Sequence, residues 1–297
     1  MKSLHKNKLI PPVIKWSGSK RSVAYKIAQL FPETDNFFDP FLGGGAILPY
    51  FNGKTAVVGD IIPELVALWT LIKDRPEFVS SEYSKRWNRL QTEGYQVYYE
   101  IRDAFNETKN PVDFLFLSRT CVNGLIRYNK EGKFNNSLHH TRPGIHPERL
   151  KEIIKSWSKW VENITFKNQD YRITLSTVKK GDVIFLDPPY VGTKARYIPQ
   201  SFDYAAFYAE LERLNKVGAN WILTLDGEAG DRLYNSKIPK DLYKVGFKIN
   251  TGKSPFSKVI NGKDDTILES VYLNFKPSVE VSSSIIDELS QPQSTLA

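Results

Sequence analysis

Short, largely apolar runs punctuate the chain at Asn36–Asp39, Thr55–Asp60, Asn163–Asn168, Asp182–Asp187, Ala219–Asp226, Tyr243–Ile249 and Ile267–Phe275. Their length, and apolar stretches that do not alternate with polar residues, suit the central strands of a parallel sheet covered on both faces. Between many of them the apolar spacing changes to three and four. Ser19–Phe31 aligns Val23, Ile27 and Leu30 on one face. Pro63–Lys73 opens on proline, a favourable first helical residue, and carries Leu65, Leu68, Trp69 and Ile72. Asp203–Lys216 opens on a capping candidate and carries Phe207, Leu211 and Leu214. This alternation of strand and helix predicts an α/β fold with a doubly wound sheet.

The alternation breaks once. From about Arg75 to Trp160 the pattern is helical, with a glycine- and asparagine-rich loop and no buried strand. That is too long for a connection and predicts an inserted subdomain over 75–160, between two parts of the main domain, 12–74 and 161–276. Residues 277–297 are rich in serine and read as a weakly ordered tail.

Composition narrows the class. With 41% hydrophobic and 25% charged residues in a chain of 297, the protein is expected to be globular. No apolar run approaches the ~18 residues of a membrane span, and the basic N-terminus lacks the apolar core of a secretory signal. The expected setting is the cytoplasm. One cysteine and four histidines exclude an internal disulfide and leave little for a metal site, so no metal is expected. The net charge of +8 is unevenly spread: residues 1–32 carry +7, residues 119–151 carry +5, and the remainder is −4. A concentrated basic surface suits a polyanion, although exposed lysines also serve solubility alone.

Three motifs carry chemistry. In Asp39-Pro-Phe41-Leu-Gly43-Gly44-Gly45 a strand runs into three glycines and then an apolar segment read as a helix. Glycines there admit a ligand close to the backbone, and a helix N-terminus would add free N–H groups; a tight strand–helix turn is the plainer reading. Asp60 ends the next strand, where α/β nucleotide-binding folds hydrogen-bond ribose hydroxyls, but it could equally cap the helix near Pro63. Asp187-Pro188-Pro189-Tyr190 follows an apolar strand, at the sheet edge where open α/β folds bind ligands. An aspartate, a carbonyl fixed by prolines and an aromatic plate suit a planar ring bearing an exocyclic amine.

These residues, with Lys15-Trp16-Ser17-Gly18-Ser19-Lys20 ahead of them, resemble in type and order the Dam-like, α-group (D12 class) N6-adenine DNA methyltransferases. The segment Asn123-Gly124-Leu125-Ile126-Arg127-Tyr128-Asn129-Lys130-Glu131-Gly132-Lys133-Phe134-Asn135 resembles that family's DNA-contacting hairpin. The resemblance spans about Lys15 to Phe275. It implies a Rossmann-like methyltransferase sheet and an inserted, mainly helical target-recognition subdomain carrying a β-hairpin. The cofactor it implies is S-adenosyl-L-methionine, held by Trp16, Lys20, Asp39, Phe41, Gly43, Gly44, Gly45, Asp60, Asp170 and Tyr171. Catalysis falls to Asp187, Pro188, Pro189 and Tyr190. DNA contacts fall to Lys15, Arg119, Asn123, Leu125, Arg127, Asn129, Lys130, Lys133 and Asn135. The implied partner is double-stranded DNA bound by a monomer, with a cognate restriction endonuclease as a further partner of such enzymes.

Two departures bear on the target sequence. Asn136-Ser137 stands where GATC enzymes carry valine and proline, and Val122 where an aromatic is frequent. Other chemistries compete unequally. Cytosine C5 transfer needs a thiolate, and the single thiol, Cys121, lies in the insertion. N4-cytosine enzymes usually show serine in place of Asp187. RNA adenine methylation, or a non-catalytic DNA-binding protein on the same scaffold, would keep parts of the pattern.

Overall fold

The computed structural model describes residues 9–51, 53–189, 202–229, 232–233, 238–253 and 266–278. Tyr190 and residues 279–297 of the expected tail lie outside them. The sheet contains β1 (Asn36–Asp39), β2 (Thr55–Asp60), β3 (Ile164–Asn168), β4 (Val183–Leu186), β5 (Asn220–Ala229), β6 (Arg232–Leu233), β7 (Val245–Lys253) and β8 (Thr266–Leu273). Its order is β3-β2-β1-β4-β5-β8-β7, with β6 beside β5. The first five strands in that order run parallel, with Phe38 opposite both Val57 and Ile184. β8 is antiparallel to β5 and β7. The chain therefore builds outward from β1 in one direction and from β4 in the other. The neighbouring ends of β1 and β4 form a topological switch point.

The central strands are apolar because both faces are covered: all four residues of β4 are buried. Helices α1 (Ala24–Ile27), α2 (Pro63–Asp74), α7 (Tyr171–Leu175) and α8 (Tyr204–Val217) interleave with the strands. The cap signals work as their chemistry requires. Pro63 opens α2, Asp203 accepts the N–H of Ala206 at 3.0 Å, and Gly218 ends α8 at φ +80°. Two expected helices are curtailed. The 19–31 pattern yields α1 and a 3₁₀ turn at Ala28–Leu30, with the Lys20 carbonyl accepting the Val23 and Ala24 N–H groups in the turn ahead of α1. After the glycines there is a 3₁₀ turn at Leu48–Tyr50 instead of an α-helix. Of the fifteen residues between β1 and β2, the glycine loop occupies the first part, and the 3₁₀ turn fills the return to β2.

Residues 75–160 form α3 (Pro76–Glu93), α4 (Gln96–Thr108), α5 (Pro111–Thr120) and α6 (Pro147–Trp160). Asn110 caps α5 by accepting from Val112 N and Asp113 N. Their buried faces join Tyr83, Phe105, Phe116 and Trp157 to the Trp69 and Ile72 side of α2, so one apolar cluster runs from the sheet into the insertion. Among the described residues, no helix is long and apolar enough to cross a membrane.

Arg119 is corrected by the structure. It is 5% exposed, and its guanidinium donates to the carbonyls of Val13 and Pro12. Trp157 Nε1 donates to Pro11 O at 2.8 Å and Arg21 Nε to Ile10 O at 2.7 Å. The basic residue read as a DNA contact thus straps down the segment leading to Trp16 and Lys20. Replacing it removes charge-assisted bonds from two carbonyls, each worth about 1.5–3 kcal/mol. Arg119→Met is expected to lower unfolding free energy in urea by about 2–4 kcal/mol; a loss under ~0.5 kcal/mol, usual for a surface side chain, would contradict the strap.

Candidate active site at the carboxyl edge of the sheet

Five strands deliver polar side chains to one edge. β4 ends in Asp187, with Pro188 buried and Pro189 exposed. The Lys20 ammonium, on a residue 3% exposed, sits 2.8 Å from Asp187 Oδ1 and 3.0 Å from Oδ2. It also donates to Gly18 O at 2.8 Å and stands 3.6 Å from Glu269 Oε2 on β8. Thr224, on β5, donates its hydroxyl to Asp187 Oδ1 at 2.8 Å. A carboxylate offers roughly four acceptor positions. Among the described residues Lys20 and Thr224 engage both oxygens, and Oδ2 keeps an acceptor position beside Lys20.

This placement revises Lys20, expected from the resemblance to hold the cofactor. A buried ammonium needs an anionic partner, and it finds one in Asp187. Thr224 and Glu269 were missed. The signal was present: Thr224 is the polar residue of the otherwise apolar run Trp221–Leu225, and Glu269 is the charged residue of Ile267–Leu273.

Asp39 is 2% exposed and accepts Phe41 N at 3.1 Å. Burial pushes its pKa well above the carboxylate range, and the nearby Asp187 and Asp60 charges add to this. Asp60 accepts Gly43 N at 3.0 Å and Ile62 N at 3.1 Å, and burial pushes it up to about 6. Asp60 does not cap α2, which has no side-chain cap; it braces the turn ahead of that helix and fixes the glycine loop. A cationic ligand at this edge would favour the ionised forms of Asp39 and Asp60, which burial disfavours.

The glycines have a reason of their own. A Cβ on Gly43 would lie 2.7 Å from Trp16 Nε1, and one on Gly45 2.9 Å from Trp69 Cζ2; both backbones have positive φ. Trp69 Nε1 donates to Gly43 O at 3.1 Å. Gly44 also packs under Trp16. Beyond β3, Asp170 caps α7 through Arg172 N at 2.9 Å and pairs with the Arg172 guanidinium, which holds its carboxyl below the usual range. Phe41 and Tyr171 stack with centroids 5.5 Å apart. A third ring between them would need ~7 Å, twice a ~3.5 Å contact. The buried Tyr171 hydroxyl has no hydrogen-bond partner among the described residues, which makes it a polar group available to a ligand.

The hairpin is short, with bridges Cys121–Leu138 and Tyr128–Phe134. Asn106 holds it from α4, accepting Phe134 N at 2.7 Å and donating to Phe134 O at 3.1 Å. Tyr128 donates to Glu64 of α2 at 2.7 Å. Asn129 accepts Glu131 N and Lys133 N, so its carboxamide closes the turn. Lys15, Asn123, Arg127, Lys130, Lys133 and Asn135 are exposed, and Leu125 is half-buried. The Lys15 stem lies over Gly124, where a Cβ would come within 2.6 Å. Arg127 Nε donates to Asn135 Oδ1 at 3.0 Å. Asn136 is buried, donating to Val122 O and Leu125 O. It shapes the 122–125 loop and does not itself alter the exposed face, whereas Ser137 is exposed. Cys121 is buried and pushed up to about 11, contrary to what a thiolate nucleophile needs.

A family model of D12 class N6 adenine-specific DNA methyltransferases matches residues 16–249. The Type II methyltransferase M.MjaIII of Methanocaldococcus jannaschii is 28% identical over 304 residues, covering 89% of this chain and 97% of that protein. A DNA adenine methylase of Vibrio cholerae is 30% identical over 181 residues, 60% of this chain and 64% of the other. The Type II methyltransferase M1.LlaDCHI of Lactococcus lactis subsp. cremoris is 29% identical over 223 residues, 71% of this chain and 76% of the other.

Burial of Asp60 makes folding stability depend on pH, with a sign that can be measured. A folded-state pKa raised from 3.8 to about 6 means that ionisation opposes folding. The favourable contribution is whole below pH ~4 and is lost as pH rises through 6, at about 1.4 kcal/mol for each tenfold difference in acidity between the folded and unfolded chains. In urea unfolding, Asp60→Asn is expected to gain up to about 3 kcal/mol relative to wild type between pH 4 and pH 7.5. Parallel pH profiles for the two proteins would contradict the raised pKa.

Proposed function

The chain belongs to the D12 class N6 adenine-specific DNA methyltransferases, and from that premise we propose how its sheet edge holds cofactor and base. It transfers a methyl group to adenine N6 in DNA. The methyl donor we assign is S-adenosylmethionine, and the observation that carries the assignment is the glycine loop packed under Trp16 and fixed by the buried Asp60, beside Asp39 at the β1/β4 switch point. Bound there, the donor would supply a methyl on a cationic sulfur; as N6 gains the methyl the carbon–sulfur bond would break to leave a neutral thioether, and the surplus N6 proton would pass to solvent or to Asp187.

Asp60 accepts from the ribose hydroxyls. Gly43–Gly45, with Trp16 above them and Asp39 behind, line the methionine end. Asp170, Phe41 and Tyr171 take the cofactor's adenine, with the two rings parting to admit it and Arg172 releasing Asp170. Residues of this edge cannot reach a base inside a duplex, so the target adenine is flipped out of the stack. Asp187 Oδ2 and the Pro188 carbonyl accept the two N6 hydrogens and turn the lone pair toward the methyl. Tyr190, by the resemblance, stacks on the base. Positioning and electrostatics then lower the barrier without a nucleophile from the protein. Lys15, Asn123, Leu125, Arg127 and Asn135 face the bases or backbone of double-stranded DNA, Lys130 and Lys133 grip phosphates, and Asn129 fixes the turn that presents them. We assign residues 75–160 to target recognition, 12–74 and 161–276 to catalysis, and propose cytoplasmic work as a monomer. The Type II names of two relatives motivate a restriction endonuclease with the same recognition sequence.

Asp187→Ala is expected to abolish transfer of labelled methyl to DNA while cofactor affinity stays within about threefold; near wild-type turnover would overturn the assignment. The hairpin gives a second expectation. Arg127→Ala should cost about 1–3 kcal/mol on the cognate duplex and much less on scrambled DNA, as for loss of a base contact. Lys133→Ala should weaken both duplexes alike and lower the salt slope by about one. Equal losses on both duplexes for Arg127→Ala would make Arg127 a backbone clamp.

A further inference from the structure

The backbone pairing that opens at the hairpin turn runs on past the residues assigned to DNA. Asn129 N donates to Lys133 O at 2.9 Å and Asn135 N to Arg127 O at 3.0 Å. Further along, Val122 N donates to Ser137 O at 2.8 Å and His139 N to Thr120 O at 2.9 Å. On the returning strand the paired groups fall on every second residue, 133, 135, 137 and 139, so its side chains alternate between two faces. Burial follows that alternation. Phe134, Asn136 and Leu138 are buried, Lys133, Asn135 and Ser137 are exposed, and His139 is half-buried. His139 therefore shares the face of Asn135, whose carboxamide accepts from Arg127 at 3.0 Å. At ~3.3 Å per residue it stands roughly 13 Å beyond Asn135. A duplex rises ~3.4 Å per step, so that distance is about four base pairs.

The chain turns immediately after His139. Arg142 N donates to His139 O at 3.2 Å, and the turn sets the Thr141 hydroxyl 3.3 Å from His139 Nδ1. Among the described residues, Nε2 makes no hydrogen bond. A neutral imidazole that accepts at Nδ1 carries its proton on Nε2 and donates there. A two-stranded ribbon fits the major groove of DNA, where purine N7, guanine O6 and thymine O4 are acceptors.

We propose that His139 is a specificity-determining residue. Nδ1 accepts from Thr141, and Nε2–H donates to one of those acceptors, at a base pair away from the Arg127 contact. The inference rests on the assignment of the hairpin to double-stranded DNA. Two substitutions separate the ring nitrogens. The asparagine carboxamide reaches about as far as Nδ1, so His139→Asn keeps a partner for Thr141 and loses the outer donor. The glutamine carboxamide reaches about as far as Nε2, so His139→Gln keeps a donor there.

The experiment is methylation of a pool of duplexes in which the base pairs around the target adenine are randomised. Wild type, His139→Asn, His139→Gln and Arg127→Ala are compared by relative kcat/KM for each base at each position. The expected result for His139→Asn is a fall of fivefold or more in base preference at one position, with preferences elsewhere within about twofold of wild type. His139→Gln is expected to keep more of that preference than His139→Asn. An unchanged profile for His139→Asn overturns the proposal. A loss spread evenly over every position also overturns it, because that is the mark of a phosphate contact or of a damaged turn. Equal loss in His139→Asn and His139→Gln overturns the donor at Nε2. An unchanged profile and unchanged DNA affinity for Arg127→Ala would instead remove the hairpin from DNA, so the two failures are distinguishable.

Discussion

A lysine ammonium buried between Asp187 and Glu269 ties the molecule together. Lys20 comes from the segment ahead of α1, Asp187 from the end of β4, Glu269 from β8, and Thr224 joins them from β5. Removing one partner of such a cluster leaves a buried charge unpaired, which typically costs about 3–5 kcal/mol, so its members hold one another in place. The segment that brings Lys20 is itself held from the insertion, by Arg119 of α5 and Trp157 of α6. The helices that carry the hairpin therefore also carry the strap that supplies the lysine on Asp187. Tyr128 adds a direct link from hairpin to sheet layer through Glu64.

The glycine loop shows how one stretch of chain answers two demands. Trp16 and Trp69 press on Gly43 and Gly45 so closely that no side chain fits there. Asp60 then takes the Gly43 N–H and Trp69 the Gly43 carbonyl, fixing both polar groups of that residue. A loop so braced offers a ligand a preset surface. It does so without a helix dipole, since the turn that follows is a single 3₁₀ turn.

Much of this was legible in the chain. Apolar runs such as Val183–Leu186 and Trp221–Leu225 could hardly be anything but central strands, and proline or aspartate marked the starts of α2 and α8. Asp39, Asp60, Asp170 and Asp187 all fall at strand ends on one edge, because parallel strands deliver their carboxyl ends together. What failed was decided by partners distant in sequence. The periodicity of 19–31 cannot reveal that Lys20 is committed to a residue 167 positions away. Nor can charge reveal that Arg119 turns inward to carbonyls more than 100 residues distant. Asn136 looked like a change at the DNA surface, but its carboxamide satisfies two loop carbonyls.

A D12 class N6 adenine-specific DNA methyltransferase leaves its mark on DNA in a defined sequence context. Methylation-aware sequencing of DNA from cells expressing the protein reports base and context together. The expected result is N6-methyladenine at one recurring short sequence and at background level elsewhere. Modified cytosine in place of adenine, or no modification from a folded and expressed protein, would contradict it.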